Sequence, residues 1–252
     1  MRLVRFRFGD RIGTGVLDGG AIRTLQGTFF EQPVPTGDEI PVDDVRLLAP
    51  VLPSKVVAVG RNYADHAKEM GEDVPEVPLT FLKPSTSVIG PGDPIVYPPI
   101  SERLDYEGEL AVVVGRLAHR LTPEDAARAI LGYTCANDAT LRDLQSRDGQ
   151  WTRAKGFDTS CPLGPWIETE LDPDDLELTT RLNREVRQHA RTSDLTYGPA
   201  GLIAFISQFM TLLPGDVVLT GTPAGIGPMQ PGDRVEVEIE GIGILANQVV
   251  AG

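Results

Sequence analysis

Two glutamates separated by one residue, Glu107 and Glu109, precede an apolar, largely β-branched run at residues 110–114. Such a run is typical of a buried strand, and side chains two positions apart in a strand point to the same face. The pattern therefore places two carboxylates side by side next to the core. Like charges at that distance are destabilising unless something compensates them. A divalent cation with oxygen ligands would do so, whereas a strand end on an exposed face would leave both acids solvated.

Length and charge narrow the classes of protein to which this chain can belong. Its 252 residues suffice for one large core, or for a main domain with a small appendage. A formal net charge of −13 disfavours binding to nucleic acids and to anionic membranes, although small anionic substrates remain possible. No apolar run approaches the ~20 residues of a membrane span, and the N-terminus lacks the apolar block of a signal peptide. Cys135 and Cys161 have no zinc or disulfide spacing, and we expect a cytoplasmic protein.

The chain is predicted to divide into a small β-rich N-terminal domain, residues 1–50, and a larger domain, residues 51–252. In the first, alternating residues predict strands, and the stretch 31–44, rich in Pro, Gly and acids, has the composition of a linker. In the second, helices are predicted at 63–70, 123–130 and 199–212, and strands at 55–60, 79–82, 110–114, 131–136, 217–220, 234–240 and 244–250. Because strands dominate, the predicted fold class is mainly β with α insertions, that is, α+β.

Asp138 is the best candidate for a third metal ligand. It stands at the end of the predicted strand at 131–136, a rigid place from which a side chain can reach a ligand. On sequence alone, the more frequent role for such a residue is in a turn or as the N-cap of a helix that begins at Ala139. If the three acids do act together, their oxygen-only donor set favours Mg²⁺, Mn²⁺ or Ca²⁺ over zinc.

The chain has three histidines, and one of them has a partner at helical spacing. His119 and His189 lie in polar stretches and are predicted to be surface residues. His66 precedes Glu69 by three positions, which on a helix puts imidazole and carboxylate on one face. A carboxylate that orients the ring makes the histidine a candidate general base. The alternative is an ordinary helical ion pair worth ~0.3 kcal/mol.

Two further segments could contact an anionic ligand. Residues 219–228 form a Gly-rich turn after a strand, but they lack the Lys-Ser/Thr of a phosphate-binding loop, which argues against nucleotide binding. The amides of this turn and Thr222 could still bind a carboxylate. Lys155 is the only lysine after Lys83, and in so acidic a chain it could neutralise a substrate carboxylate. A plain surface lysine is the alternative.

Taken together, several segments resemble the fumarylacetoacetate hydrolase family. The matching segments are VVAVGRNYADHAKEM, PLTFLKPSTSVIGPGDPI, LDYEGELAVVVG, GYTCANDATLRDLQ, WTRAKGFDTSCPLGP and GDVVLTGTPAGIGP. They occur in the family's order and cover about residues 52–228. The resemblance implies that the metal-binding acids are Glu107, Glu109 and Asp138, that a mobile lid carries a His66–Glu69 dyad, and that Lys155 is the active-site lysine. It also implies substrate contacts at Gln145 and Thr222. Arg61 and Tyr63, beside the dyad, are further candidate substrate contacts.

The resemblance further implies a mixed β-sandwich roll, a homodimer and dependence on Mg²⁺ or Mn²⁺, with Ca²⁺ as a substitute. The implied substrates are 2-oxo acids with a second carbonyl group. We therefore predict a metal-dependent hydrolase that cleaves a C–C bond in acylpyruvates or related 2,4-dioxo acids through a metal-bound pyruvate enolate. The alternatives are an oxaloacetate decarboxylase, an isomerase or decarboxylase acting on 2-hydroxyhepta-2,4-diene-1,7-dioate in aromatic catabolism, and a non-catalytic metal-stabilised binding protein.

Overall fold

The computed structural model describes residues 1–252 and contains twenty β-strands and five α-helices. The first ten strands are β1 (Arg2–Phe8), β2 (Arg11–Asp18), β3 (Ala21–Gln26), β4 (Val34–Pro41), β5 (Arg46–Leu47), β6 (Val56–Gly60), β7 (Leu79–Lys83), β8 (Val88–Ile89), β9 (Ile95–Tyr97) and β10 (Leu104–Tyr106). The other ten are β11 (Gly108–Val114), β12 (Ile130–Asn137), β13 (Thr140–Leu141), β14 (Cys161–Glu168), β15 (Glu177–Leu182), β16 (Glu185–Arg191), β17 (Val217–Leu219), β18 (Gly227–Met229), β19 (Arg234–Ile239) and β20 (Gly243–Ala251). The helices are α1 (Ala64–Glu69), α2 (Pro123–Ala129), α3 (Arg142–Asp148), α4 (Thr152–Lys155) and α5 (Pro199–Ser207).

The strands form three sheets. The largest has twelve strands: ten follow the order β4-β3-β2-β1-β14-β12-β11-β17-β6-β7, β5 pairs with β1, and β8 pairs with β14. A second sheet has the order β16-β15-β19-β20-β9, and a third has the order β13-β10-β18. Because most neighbours are antiparallel while β17 and β6 are parallel, the architecture is a mixed β-sandwich roll, as predicted.

Strand β11 lies at the centre of the core and is buried along its whole length. Leu110, Val112 and Val114 pack on one face, in a cluster that includes residues of α5 and of the second sheet. Ala111 and Val113 pack on the other face, against residues of β6, β14 and β17. The alternation of side chains in a strand explains this division, and apolar residues on both faces explain why the run carries no polar positions after Glu109.

The N-terminal strands extend the large sheet, because β1 pairs antiparallel with β14. The predicted linker at 31–44 is wrong in its central part, since β4 (Val34–Pro41) pairs antiparallel with β3. The two prolines of β4, Pro35 and Pro41, suggested a loop. However, β4 is the outermost strand of the sheet, and an edge strand tolerates prolines because one side of its backbone needs no partner.

The helix predicted at 199–212 also ends earlier than expected, at Ser207. Leu212 instead pairs with Ala118, with backbone hydrogen bonds of 2.9 Å in both directions. The helix predicted at 123–130 is confirmed as α2, and the hydroxyl of Thr122 accepts a hydrogen bond from the backbone N–H of Asp125 at its start. None of the five helices combines the length and apolar character needed to cross a membrane.

Candidate active site

Three carboxylates meet at the ends of two central strands. Glu107 joins β10 to β11, Glu109 belongs to β11, and Asp138 directly follows β12. Gly108 lies opposite Asn137 in this strand pair, and the backbone N–H of Asp138 donates to the carbonyl of Glu107 over 2.8 Å. One oxygen of each carboxylate lies within 4.8 Å of the others, and all three residues are buried. The register of the sheet thus brings the three predicted metal ligands together.

The cluster has the donor set and the charge that suit a hard divalent cation. Burial and the charges of Asp138 and Glu107 raise the pKa of Glu109 well above its usual range. Glu109 accepts a hydrogen bond of 2.6 Å from the backbone N–H of Gly221, and it forms no ion pair with a Lys or Arg. All the donors are carboxylate oxygens, which Mg²⁺, Mn²⁺ and Ca²⁺ prefer. The residues therefore fit the metal that the sequence predicts.

Two buried lysines offset part of the negative charge. The ammonium of Lys155 lies 2.7 Å from Glu107 Oε2 and 2.6 Å from Asp138 Oδ2. Lys83 Nζ lies 2.6 Å from Asp138 Oδ1 and also donates to the carbonyl of Lys155. Burial alone would lower the pKa of Lys155, but the charges of Asp138 and Glu107 outweigh it and raise the pKa. Glu107 and Asp138 therefore have ammonium partners, whereas Glu109 has none and offers its oxygens to a cation.

Arg142, in the first turn of α3, connects the three-carboxylate cluster to a further buried acid, Asp105. Its guanidinium bonds Glu107 Oε1, Asp105 Oδ2 at 2.9 Å, and Gln145. Burial by itself would raise the pKa of Glu107, but Lys155 and Arg142 hold it below its usual range. Glu107 is therefore a fixed anion, in contrast to Glu109 in the same cluster.

The predicted dyad forms on α1. His66 Nδ1 lies 3.2 Å from Glu69 Oε2, and Glu69 Oε1 accepts a hydrogen bond of 3.1 Å from the backbone N–H of Gly225. His66 is buried and lines the cavity into which the carboxylate cluster opens. Glu69 thus orients the imidazole of His66, and the backbone N–H of Gly225 in turn holds Glu69 in place. The other ring nitrogen, Nε2, does not contact Glu69 and is the one available for proton transfer.

Most of the predicted site residues line one cavity of about 260 Å³. Those that line it are Arg61, His66, Glu107, Glu109, Asp138, Gln145, Lys155 and Thr222. Glu69 lies behind His66 and is not part of the lining. Tyr63 is also outside the lining: it is buried, and its hydroxyl has no hydrogen-bond partner. The Thr222 hydroxyl donates to the carbonyl of Gly108 over 2.9 Å.

Two aromatic rings form the apolar wall of this cavity. Phe81 and Trp151 pack edge to face with their centroids 5.2 Å apart, and Lys155 Nζ lies 5.2 Å from the centre of the Phe81 ring. Gly60 allows the close approach, because a Cβ there would lie 3.1 Å from the Trp151 ring. One side of a ligand would therefore meet carbon, and the other side would meet charged groups.

The sequence did not predict that Lys83 and Arg142 are buried and paired with acids of the cluster. Lys83 ends an apolar strand, and such a lysine is normally read as a surface residue, yet it is fully buried. The signal in the sequence was the rarity of lysine in so acidic a chain. Arg142 gave no signal beyond its position four residues after Asp138. As predicted, His119 and His189 are exposed. Cys135 and Cys161 are buried free thiols.

Comparison with known families agrees with the fold. The family model for the fumarylacetoacetate (FAA) hydrolase C-terminal domain matches residues 55–250. The chain belongs to the fumarylacetoacetate hydrolase family. A second model, described as Rv2993c-like N-terminal, matches residues 1–50. The family contains enzymes that act on small molecules, including hydrolases, isomerases and tautomerases.

The chain is similar over nearly its full length to proteins from bacteria and from humans. Protein Rv2993c of Mycobacterium tuberculosis is 50% identical over 260 residues, which cover 99% of this chain and 98% of that protein. The human mitochondrial protein named oxaloacetate tautomerase FAHD2A is 40% identical over 288 residues, covering 99% and 92%. The crystal structure of 5-carboxymethyl-2-hydroxymuconate delta-isomerase from Mycobacterium smegmatis superposes with a TM-score of 0.94 at 49% identity, covering all of both chains.

Proposed function

We propose that this protein is a divalent-cation-dependent enzyme that interconverts the keto and enol forms of a small 2-oxo acid bearing a second carbonyl or carboxyl group. One observation carries the proposal: the buried three-carboxylate cluster and the His66–Glu69 dyad open into the same cavity of about 260 Å³. Such a cavity suits a metabolite of a few carbon atoms better than a large ligand. The names of the human relative and of the mycobacterial isomerase both denote rearrangements within one molecule, which supports this choice over hydrolysis.

The residues of this chain can be assigned roles in that reaction. Glu107, Glu109 and Asp138 would hold a divalent cation, which when bound would polarise the 2-oxo group as a Lewis acid. His66 removes the proton from the carbon next to that group, so the electron pair of the C–H bond moves toward the 2-oxo oxygen. The same imidazolium then returns the proton to that oxygen, which gives the enol.

Other residues prepare the cavity for this proton transfer. Glu69 stabilises the imidazolium and fixes its orientation. Lys155 offsets the charge of the carboxylates, and Gln145 and Thr222 lie where they can contact the substrate. The buried surroundings strengthen each of these electrostatic contacts, because little water screens them.

The test monitors the loss of the ultraviolet absorbance of enol oxaloacetate in the presence of the protein and Mg²⁺ or Mn²⁺. A control contains the metal without protein. We expect a protein-dependent acceleration that EDTA abolishes. His66→Ala should lower the rate by ~10²–10⁴-fold while leaving Mn²⁺ affinity unchanged. A rate equal to the metal-only background, with Mn²⁺ bound, would rule out the tautomerase.

Hydrolysis of an acylpyruvate is the second candidate, and the oriented base of the dyad is the observation that favours it, because the same base could activate a water molecule. Acetylpyruvate distinguishes the two, since a hydrolase releases pyruvate and acetate. Release of CO₂ from oxaloacetate would instead indicate a decarboxylase. A metal-stabilised binding protein would show none of these products and would lose no activity when His66 is replaced.

The homodimer and the cytoplasmic location stay predictions. A molar mass near twice the 27.2 kDa of one chain, measured by light scattering, would support the dimer.

A further inference from the structure

Arg61 brings an unpaired hydrogen-bond donor to the candidate active site. Its backbone adopts the left-handed conformation, with φ 57°, which residues with side chains rarely adopt. Its side chain lines the cavity, Nη1 donates to Glu72 Oε2 over 2.9 Å, and Nε is buried without a hydrogen-bond partner. An acceptor that reaches Nε therefore gains a hydrogen bond without breaking one.

Glu72, the acid that pairs with Arg61, lies in a more exposed and less constrained segment than Arg61 does. The side chain of Glu72 is 60% exposed, and residues 71–78 around it form neither helix nor strand. Its backbone N–H donates to Ala67 in α1 over 2.9 Å. On the other side, Asn62 is buried and bonded to the backbone of Tyr197 and of Thr220, which fixes the segment that carries Arg61.

Arg61 also differs from the other cationic side chains that line the cavity. Lys155 is committed to Glu107 and Asp138, and Arg142 is committed to Glu107 and Asp105, all of them buried acids. Breaking either set would leave a buried charge unpaired, at high cost. The pair between Arg61 and an exposed carboxylate is weak and can exchange partners.

We propose that Arg61 receives the distal carboxylate of a dicarboxylic 2-oxo acid at Nε and that the negative charge of Glu72, which bonds Nη1 of the same guanidinium, opposes its binding. The inference rests on the proposed function, because the 2-oxo end of the same ligand is placed at the carboxylate cluster. A carboxylate that takes Nε together with a terminal nitrogen forms the bidentate pair that arginine prefers.

The attraction of Arg61 and the repulsion of Glu72 together make these two residues determinants of specificity. A monocarboxylic 2-oxo acid has no group for Nε and leaves the Arg61–Glu72 pair intact. A dicarboxylic acid gains two charge-assisted hydrogen bonds, but the negative charge of Glu72 on the same guanidinium opposes its binding. Removing the arginine should therefore abolish the preference for dicarboxylates, and neutralising Glu72 should strengthen it.

The experiment measures ligand binding to the Mn²⁺-loaded protein by isothermal titration calorimetry. The probes are 2-oxoglutarate and 2-oxopentanoate, which have the same chain length and differ in ending with a carboxylate or a methyl group. Oxalate, which matches only the 2-oxo acid end, serves as the third probe. The variants are Arg61→Met and Glu72→Gln, with Glu76→Gln as the matched control, because Glu76 is an exposed acid of the same segment that forms no ion pair.

We expect the wild-type protein to prefer 2-oxoglutarate, and Arg61→Met to weaken 2-oxoglutarate by ~10–100-fold with 2-oxopentanoate and oxalate unchanged. Glu72→Gln should tighten 2-oxoglutarate several-fold, and Glu76→Gln should match the wild type. Equal affinity for the two oxo acids, or an unchanged preference in Arg61→Met, would overturn the proposal. If oxalate fails to bind the Mn²⁺-loaded protein, the placement of the 2-oxo end is wrong, and the proposed function and this inference both fall. If oxalate binds while Arg61→Met keeps the preference for 2-oxoglutarate, this inference alone falls.

Discussion

Glu109 is the acid of the carboxylate cluster that has no positively charged partner, and its raised pKa has a direct consequence for stability. The folded protein binds a proton at this site more tightly than the unfolded chain does. Stability is therefore lost as pH rises above the ordinary carboxyl value of 4.5 and Glu109 has to ionise. A bound divalent cation reverses the effect, because it favours the ionised form.

Replacing Glu109 by Gln should separate stability from metal binding. We expect Glu109→Gln to stabilise the metal-free protein near neutral pH by about 1–3 kcal/mol, or roughly 3–10 °C in melting temperature. The rise in melting temperature that Mn²⁺ causes in the wild type should disappear. Differential scanning fluorimetry with and without Mn²⁺ measures both quantities, and the exposed Glu102→Gln is the control. A variant that keeps the full Mn²⁺ shift would show that Glu109 is not a ligand.

Glu69→Gln tests whether the second dyad residue orients the first. The amide can still accept from the Gly225 N–H, but it no longer carries the charge that stabilises a protonated His66. We expect kcat to fall by ~10–100-fold with Mn²⁺ affinity unchanged. Asp65→Asn, an exposed acid in the first turn of the same helix, is the control. If Glu69→Gln and Asp65→Asn have the same small effect, the pair on α1 is an ordinary helical ion pair.

At the same scale, the sequence indicates residues whose chemistry is visible locally and misses those defined by a distant partner. Glu107 and Glu109 can be paired from strand periodicity alone, and His66 can be paired with Glu69 from helical spacing. Lys83 cannot be found in this way, because its partners Asp138 and Lys155 are distant in sequence. Only the tertiary fold shows that this lysine is buried.

At the scale of secondary structure, segments with a clear period or cap were predicted well, and short or mixed ones were not. The helix predicted at 63–70 is observed at Ala64–Glu69, and the predicted C-terminal hairpin is β19 and β20. Helices α3 and α4 were missed, because seven and four residues are too few to show a helical period. The shorter of them decides the position of Lys155, which is therefore buried rather than on the surface.

The segment that follows α1, residues 71–78, contributes Glu72 to the cavity lining, and two side-chain hydrogen bonds fasten it, one of them between Arg61 and Glu72. The Tyr197 hydroxyl donates to the carbonyl of Pro75 over 2.9 Å, and residues 71–78 contain no regular element. Segments with few backbone hydrogen bonds open at low free-energy cost. The polar and Pro-rich composition of this segment is typical of a lid that orders over a ligand.

Tyr197→Phe should favour the open state of this lid. Loss of one hydrogen bond shifts an opening equilibrium by ~2–10-fold, so amide hydrogen exchange of residues 70–78 should speed up by that factor. Mn²⁺ with oxalate should slow exchange over residues 61–78 in the wild type. Thr196→Ala, an exposed neighbour whose side chain forms no hydrogen bond, is the control. Exchange that does not respond to saturating oxalate would show that the segment does not close over the ligand.

At the scale of the whole molecule, the buried acid Asp216 joins segments of the large sheet that are distant in sequence. Asp216 Oδ1 accepts from the backbone N–H groups of Ser54 and Lys55 at 3.1 and 3.2 Å, and from the Ser54 hydroxyl at 2.6 Å. Its Oδ2 accepts from the Leu213 N–H at 2.8 Å and pairs with the ammonium of Lys55. These contacts align β6 with its parallel neighbour β17. Nothing in the sequence connects these segments, because a parallel pair needs a long crossover whose partner the local pattern does not reveal.

Asp216→Asn should therefore destabilise the whole protein in a pH-dependent way. Burial alone would raise the pKa of Asp216, but hydrogen bonds from Lys55 and Ser54 outweigh it and lower the pKa below the ordinary 3.8. Its contribution is therefore present above the unfolded value and is lost as pH falls through the folded one. We expect a loss of about 2–4 kcal/mol near neutral pH, which shrinks as the pH drops below 3.8. Urea unfolding across pH measures this difference, with the exposed Asp174→Asn as control. A difference between Asp216→Asn and wild type that stays constant down to the lowest pH would show that packing, rather than the carboxylate charge, holds β6 and β17 together.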